Sequence, residues 1–184
     1  DLNLIVCEFQ TGGVTERSIT GTLLDTYASG FINPNDICLD KKGGMYVTTP
    51  NRGEVYYISP APSRTKTLID DSIDFPNGVI ISNDGTTLYV SDSDNYDIYK
   101  FDIDLSTGLI SNKAVFATLT DIGDTGSRSL ADGMALDTNG NLYVAARKSL
   151  QIFDASGAKI NSIPFTENIT NCTFGESDLS TLFV

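Results

Sequence analysis

Four residues with oxygen-bearing side chains occupy the same place in a segment that recurs along the chain. An aromatic residue follows each of them 11 or 12 positions later, and they stand 42, 55 and 39 residues apart: Asn35, Asn77, Asp132 and Asn171. Their carboxamide and carboxylate oxygens are hard donors of the kind that Ca²⁺ and Mg²⁺ prefer. If the fold brings the four together, they predict a cation site in which the ion would keep Asp132 ionised.

A simpler interpretation of the same residues competes with the cation site. An Asn or Asp at the start of a strand, next to Gly, also hydrogen-bonds to nearby backbone and so caps the strand. Asn77 and Asp132 both precede a Gly. On side-chain chemistry alone both interpretations stay open.

Composition excludes several other chemistries. The chain contains no His, which removes Ser-His-Asp and Cys-His catalysis and histidine metal sites. Its 24 acidic and 12 basic residues give a net charge of −12, which disfavours nucleic acids and anionic membranes as partners. No run of 18 apolar residues predicts a transmembrane helix. The opening DLNLIVCEFQ shows no signal peptide.

The three cysteines, Cys7, Cys38 and Cys172, form an odd set without a CxxC pair, and each lies in or beside an apolar strand. We therefore expect buried free thiols rather than a disulfide or a thiolate metal site. Reduced thiols slightly favour a cytoplasmic location, whereas the low isoelectric point is equally compatible with an extracellular one. The compartment stays unknown at this stage.

The elements that position the four polar residues are predicted to be β-strands. Short runs rich in Val, Ile, Tyr and Phe alternate with Gly, Asn, Asp and Ser, which predicts an all-β fold. A period near 40 residues, with several short strands in each unit, is typical of a β-propeller with four-stranded blades. In the first whole unit we expect strands at about 36–40, 45–49, 54–58 and 66–70. The innermost strands of a propeller run beside its axis, so their equivalent ends would bring the four polar residues to one mouth of the channel.

The same pattern divides the chain into one propeller domain, residues 1–184, with roughly 17 strands. We predict three whole blades at about 31–72, 73–128 and 129–168, and partial blades at 1–30 and 169–184. Both ends would then fall inside a blade. Unpaired blade edges are sites for self-association.

Several segments together resemble the SMP-30/gluconolactonase (regucalcin-like) family of lactonases. They are PNDICLDKKGGMYVT, FPNGVIISNDGTTLYVSDSDNYDIYKFDID, LADGMALDTNGNLYVAA and TNCTFGESDLSTLFV, and the resemblance extends from about Leu4 to Val184. It implies a six-bladed propeller, of which this chain would represent roughly four blades. It also implies a divalent metal at the channel mouth, Ca²⁺ foremost with Zn²⁺ or Mg²⁺ as alternatives, and a sugar lactone such as gluconolactone as the small-molecule substrate.

The resemblance also implies roles for the four polar residues. Asn77 matches a metal ligand, and Asp132 matches a ligand that also serves as the general base. Asn35 matches a residue that contacts the substrate, and Asn171, at the equivalent position, is a further candidate for substrate binding. The family's remaining metal ligand, a Glu near the N-terminus, has no match here, because Glu8 follows a predicted second strand instead of opening a first strand.

Two functions therefore follow from the sequence. One is the metal-dependent hydrolysis of sugar lactones, in which a metal polarises the carbonyl and Asp132 takes a proton from the attacking water. The alternative is a noncatalytic propeller that binds a ligand or a protein at the same polar mouth, as NHL-type repeat propellers do, because fold does not determine function.

Overall fold

The computed structural model describes residues 2–122 and 127–184, which form five antiparallel β-sheets and one short 3₁₀ turn at Pro50–Arg52. Sheet I contains β1 (Asn3–Glu8), β2 (Gly13–Ser18) and β3 (Leu23–Ala28). Sheet II contains β4 (Ile37–Leu39), β5 (Met45–Thr49), β6 (Glu54–Ile58) and β7 (Lys66–Asp70). Sheet III contains β8 (Pro76–Ile81), β9 (Thr87–Asp92), β10 (Asp97–Ile103) and β11 (Ile110–Thr118). Sheet IV contains β12 (Ala131–Leu136), β13 (Leu142–Ala146), β14 (Ser149–Phe153) and β15 (Lys159–Pro164), and sheet V contains β16 (Thr173–Gly175) and β17 (Thr181–Phe183).

Each sheet is a series of hairpins in which consecutive strands pair. Turn chemistry explains why the strands reverse where they do. In the β8–β9 turn, Gly85 has a φ of 88°, a conformation that residues with a side chain rarely adopt. Asp84 stabilises the same turn by accepting hydrogen bonds from the Ser82 hydroxyl and from the Thr86 N–H and hydroxyl. Turns of this kind hold the registers that carry the polar residues to the strand ends.

Neighbouring sheets bury an apolar layer between them. Sheets II and III, for example, share a core that includes Tyr46, Val55, Val79 and Phe101. The first strands of consecutive sheets also lie side by side: β4 contacts β8, β8 contacts β12, and β12 contacts β16. The residues that open these first strands therefore meet at one end of the fold.

The sequence prediction and the fold agree on class and on local architecture. The fold is all-β and antiparallel, and the strands at 45–49, 54–58 and 66–70 are confirmed, while the first strand of that unit is shorter than expected, at Ile37–Leu39. In the described residues the sheets do not close into a ring. The six-bladed count and the blade boundaries stay predictions, and residues 123–126 of the proposed 73–128 blade lie outside the described residues.

The thiol prediction is confirmed in part. The three cysteines are free, and Cys172 is buried, but Cys7 and Cys38 are only half-buried. Within the ranges that the structure describes, no helix reaches the length and hydrophobicity that a bilayer span requires.

Candidate functional site

The four aligned polar residues stand at the starts of the first strands. Asn77 and Asp132 are the second residues of β8 and β12, while Asn35 and Asn171 lie two residues before β4 and β16. Because these strands are neighbours, residues far apart in sequence share one end of the fold.

Side-chain contacts join three of the four residues into one polar chain. The Asn35 Nδ2 group donates a hydrogen bond to Asn77 Oδ1. The Asn77 side chain in turn donates a hydrogen bond to the Asp132 carboxylate, which lowers the pKa of that group. Asn77 is only 8% exposed, whereas Asn35 is exposed. The sequence-predicted set Asn35, Asn77 and Asp132 is therefore contiguous in the structure.

Asn171 reaches the cluster by a different contact. A Cβ placed on Gly133 would lie 2.0 Å from Asn171 Oδ1, so the Asn171 carboxamide rests directly against the residue that follows Asp132. Its Oδ1 accepts a hydrogen bond from the Cys172 N–H at 2.8 Å, which is a local strand-capping contact. Asn171 thus combines the capping role with a place at the margin of the cluster.

The electrostatics of Asp132 set it apart from an ordinary surface Asp. Burial raises its pKa to about 6, and the Asp36 carboxylate adds to the shift by repulsion. Hydrogen bonds from Asn77 and from the Gly133 N–H favour the ionised form and oppose the shift. A carboxylate with this pKa exchanges protons near neutral pH, which is what a general base requires.

Asp36 is a functional candidate that the sequence reasoning missed. Its Oδ2 accepts a hydrogen bond from the Val79 N–H at 2.8 Å, and its Oδ1 accepts one from the Ile37 N–H at 2.9 Å, so it links sheet II to sheet III beside Asp132. Burial raises the pKa of Asp36 as well. A signal was present, because the aligned Asn77 and Asp132 are both followed by Gly, whereas Asn35 is followed by this acid.

Buried hydroxyls on the second strands hold the cluster in place, and these too were missed. The Thr48 hydroxyl accepts a hydrogen bond from the Asp36 N–H at 3.1 Å and donates one to the Asn77 carbonyl oxygen at 2.6 Å. It thereby ties the start of β4 to the start of β8. Ser91 makes the equivalent connection between β8 and β12. The strand ends are therefore fixed relative to one another by polar contacts as well as by the apolar layers.

The donor types at the cluster fit a hard divalent cation. Asp132 supplies a carboxylate, Asn77 supplies an amide oxygen, and both are partly removed from water. Two carboxylates that repel one another are a setting in which a cation is electrostatically favoured. Across residues 2–122 and 127–184, no three His, Cys, Asp or Glu side chains cluster closely enough to hold an ion by themselves. Amide oxygens and water would have to complete the coordination.

A cavity of about 450 Å³ opens beside the cluster. Asp36 and Asn171 line its polar end, and apolar residues such as Ile80, Met134 and Phe183 line the rest. A small polar ring compound would fit in this volume. Asn35, Asn77 and Asp132 are not among its lining residues, so the cavity adjoins the polar cluster through Asp36 and Asn171.

Comparison with known proteins shows which family this chain resembles in sequence. A model of the SMP-30/Gluconolactonase/LRE-like region matches residues 1–184. A gluconolactonase of Zymomonas mobilis is 32% identical over 188 residues, which cover 92% of this chain and 51% of that protein. The regucalcin of Gallus gallus is 31% identical over 137 residues, 72% of this chain and 44% of its own length.

Solved structures of a gluconolactonase and of a regucalcin resemble this chain in fold. A gluconolactonase from Xanthomonas campestris superposes with a TM-score of 0.81 at 26% identity, over 98% of this chain and 64% of that one. A calcium-binding regucalcin from Agrobacterium tumefaciens has a TM-score of 0.76 at 24% identity, over 94% of this chain and 61% of its own, and shows likeness of fold alone. The chain spans about half the length of the curated relatives it matches.

Proposed function

The chain belongs to the SMP-30/gluconolactonase/LRE-like family, and from that premise we propose that the complete protein is a divalent-metal-dependent hydrolase of sugar lactones. The observation that carries the proposal is the contiguous set of Asn35, Asn77 and Asp132, in which the Asp has a pKa of about 6. The similarity to the Zymomonas mobilis gluconolactonase, over nearly the whole of this chain, supports the same substrate class.

In the proposed site, Asp132 and Asn77 hold the cation through their side-chain oxygens. Ca²⁺ is the ion we favour, with Zn²⁺ or Mg²⁺ as alternatives, because the donors are hard oxygens. The chemistry that such an ion supplies when bound is polarisation of the lactone carbonyl and a lowered pKa for a nearby water.

The remaining steps belong to the chain's own side chains. Asp132 accepts a proton as the water oxygen bonds to the lactone carbonyl carbon. The bond between that carbon and the ring oxygen then breaks, and the proton passes to the ring oxygen, which leaves as a hydroxyl group. The product is the open-chain sugar acid. Asn35, and Asn171 at the margin, would hydrogen-bond to the hydroxyl groups of the sugar.

The test is hydrolysis of a panel of aldonolactones by the protein expressed from its complete reading frame. The protein is stripped with EDTA and assayed before and after Ca²⁺, Zn²⁺ or Mg²⁺ is restored. We expect metal-restored turnover that Asp132→Ala abolishes, because that variant loses both a metal ligand and the base. Turnover that is unaffected by EDTA or by Asp132→Ala would refute the proposal. Cation binding without turnover on any lactone would favour a noncatalytic binding module.

A further inference from the structure

We propose that Ser93 is a positioning residue for the metal site, because its hydroxyl accepts a hydrogen bond from the Asn77 Nδ2 group and so determines the direction in which the Asn77 oxygen points. The inference rests on the proposed function, since the orientation matters most if the Asn77 oxygen binds a cation. Ser93 directly follows β9, and its hydroxyl hydrogen-bonds to the Asn77 side chain and to the Ala131 carbonyl oxygen.

The hydrogen bonds at Ser93 allow only one orientation of the Asn77 carboxamide. The Ser93 hydroxyl donates its single proton to the Ala131 carbonyl oxygen, a group that can only accept. The hydroxyl oxygen therefore has only lone pairs to offer to Asn77, which lies 3.0 Å away. Asn77 must present its Nδ2 donor to Ser93, and its Oδ1 acceptor must point the other way.

The opposite side of the carboxamide meets a matching partner. The Nδ2 group of Asn35 donates to Asn77 Oδ1, which is consistent only with the orientation that Ser93 imposes. A flipped Asn77 would place two NH₂ groups against each other and two lone-pair oxygens against each other. The Asn77 Oδ1 atom thus faces Asn35, while its Nδ2 group faces Ser93 and the Asp132 carboxylate, and this orientation is set before any ligand binds.

Ser93 is itself held rigidly, so it can transmit this constraint. It is 2% exposed, its N–H donates to the Phe75 carbonyl oxygen at 3.0 Å, and its own carbonyl oxygen accepts from the Leu130 N–H at 3.0 Å. Water has little access to replace a lost hydroxyl at this position. The same hydroxyl also fixes Ala131, which precedes Asp132, and so couples the two proposed metal ligands across two sheets.

A hydroxyl at this place occurs in only one of the three four-stranded sheets. The strand registers align Ser93 with Pro50 in sheet II and Arg147 in sheet IV, neither of which has a hydroxyl. Sheet III is the sheet whose first strand carries the proposed amide ligand Asn77.

Ser91 offers a matched control for Ser93. It lies within β9, two residues before Ser93, and is 0% exposed. Its hydroxyl accepts from the Gly78 N–H at 2.8 Å and donates to the Asp132 carbonyl oxygen at 3.0 Å. Those partners are backbone groups, so Ser91→Ala removes two buried hydrogen bonds without touching the Asn77 side chain. Ser93→Ala also removes two, but one of them orients the carboxamide.

The experiment compares Ser93→Ala, Ser91→Ala and the unchanged complete protein by calorimetric titration with Ca²⁺. Ser93→Ala should weaken Ca²⁺ binding by about tenfold or more, the usual loss when a group that orients a metal ligand is removed. Ser91→Ala loosens the strand ends but leaves the Asn77 carboxamide oriented, so it should weaken Ca²⁺ binding clearly less than Ser93→Ala does. Equal losses in the two variants, or unchanged affinity in Ser93→Ala, would overturn the proposal.

A metal-free readout separates this inference from the proposed function. The two side-chain NH₂ signals of Asn77, assigned by their loss in Asn77→Asp, should both be protected from solvent exchange in the unchanged protein and in Ser91→Ala. In Ser93→Ala, the proton that bonds to the Ser93 hydroxyl should lose its protection, while the proton that bonds to the Asp132 carboxylate keeps it. If the unchanged protein binds no cation, the proposed function fails, and these signals alone decide whether Ser93 orients Asn77. If Ser93→Ala does not fold, Ser93→Cys, with a similar size and a weak acceptor, takes its place in both measurements.

Discussion

Replacing Asp132 with Asn should stabilise the metal-free protein above pH 6, even though it destroys the proposed catalytic base. Burial and the nearby Asp36 carboxylate raise the pKa of Asp132 from 3.8 to about 6 in the folded chain. The folded state therefore binds a proton more tightly than the unfolded state does. Stability falls as pH rises from about 4 to about 6, and the loss is complete above pH 6.

The size of the effect follows from the pKa difference. About two units at 1.36 kcal/mol per unit give an upper value of about 3 kcal/mol. Asp132 is only half-buried, so solvent screening reduces this to about 1–2 kcal/mol. Asn is neutral at every pH and keeps the shape and one acceptor oxygen of the Asp side chain. We expect Asp132→Asn to be more stable than the unchanged protein by that amount at pH 7, and to gain nothing at pH 4.

Urea unfolding of the complete protein in EDTA at pH 4, 5, 6 and 7 measures the difference. Asp84→Asn is a control of opposite sign, because hydrogen bonds from Ser82 and Thr86 lower the pKa of Asp84 to about 2. Asp84 contributes stability above pH 4 that is lost as pH falls towards 2. Its Asn variant should therefore be less stable than the unchanged protein at pH 7. An Asp132→Asn variant that is less stable at pH 7, or equally shifted at pH 4 and pH 7, would refute the reasoning.

Two further outcomes follow from close packing and burial. Gly78→Ala should lower the free energy of unfolding, measured in urea, by about 1–3 kcal/mol, because the new Cβ would lie 2.1 Å from the Asp132 carbonyl oxygen. Gly13→Ala is the control: its Cβ would have its nearest neighbour at 3.6 Å, so this variant should lose less stability. Equal costs for the two would contradict the packing. Burial raises the pKa values of Cys7 and Cys172 to about 12, so iodoacetamide at pH 8 should alkylate them about 10³-fold more slowly in the native protein than in urea, as followed by mass spectrometry. Rapid native alkylation would show that these thiols are not shielded.

The local architecture could be predicted because it is written in short-range patterns. The aromatic that follows each aligned polar residue, and turn residues such as Asp84 and Gly85, determine strands and reversals within a few positions. The placement of Asn77 and Asp132 at equivalent strand starts follows from the same repeat. Those features need no knowledge of how one sheet packs on the next.

The contacts between sheets could not be predicted in this way. The Ser93 hydroxyl bonds to Ala131, 38 residues away, and Asp36 bonds to the Val79 N–H, 43 residues away. Both contacts depend on the distance and twist between neighbouring sheets, which no local period encodes. Asp36 stands where the next two copies have Gly, so the repeat itself does not mark it as a site residue.

The most direct test of the proposed metal site is a crystal structure of the complete protein, with the crystals soaked in Zn²⁺ and the ion located by its anomalous scattering. We expect one strong peak about 2.0–2.2 Å from a carboxylate oxygen of Asp132 and from Asn77 Oδ1. The peak should be absent from crystals of the Asp132→Ala variant soaked in the same way. A peak coordinated by other acidic residues, or none near Asp132 and Asn77 at saturating Zn²⁺, would contradict the assignment of these two residues as the metal site.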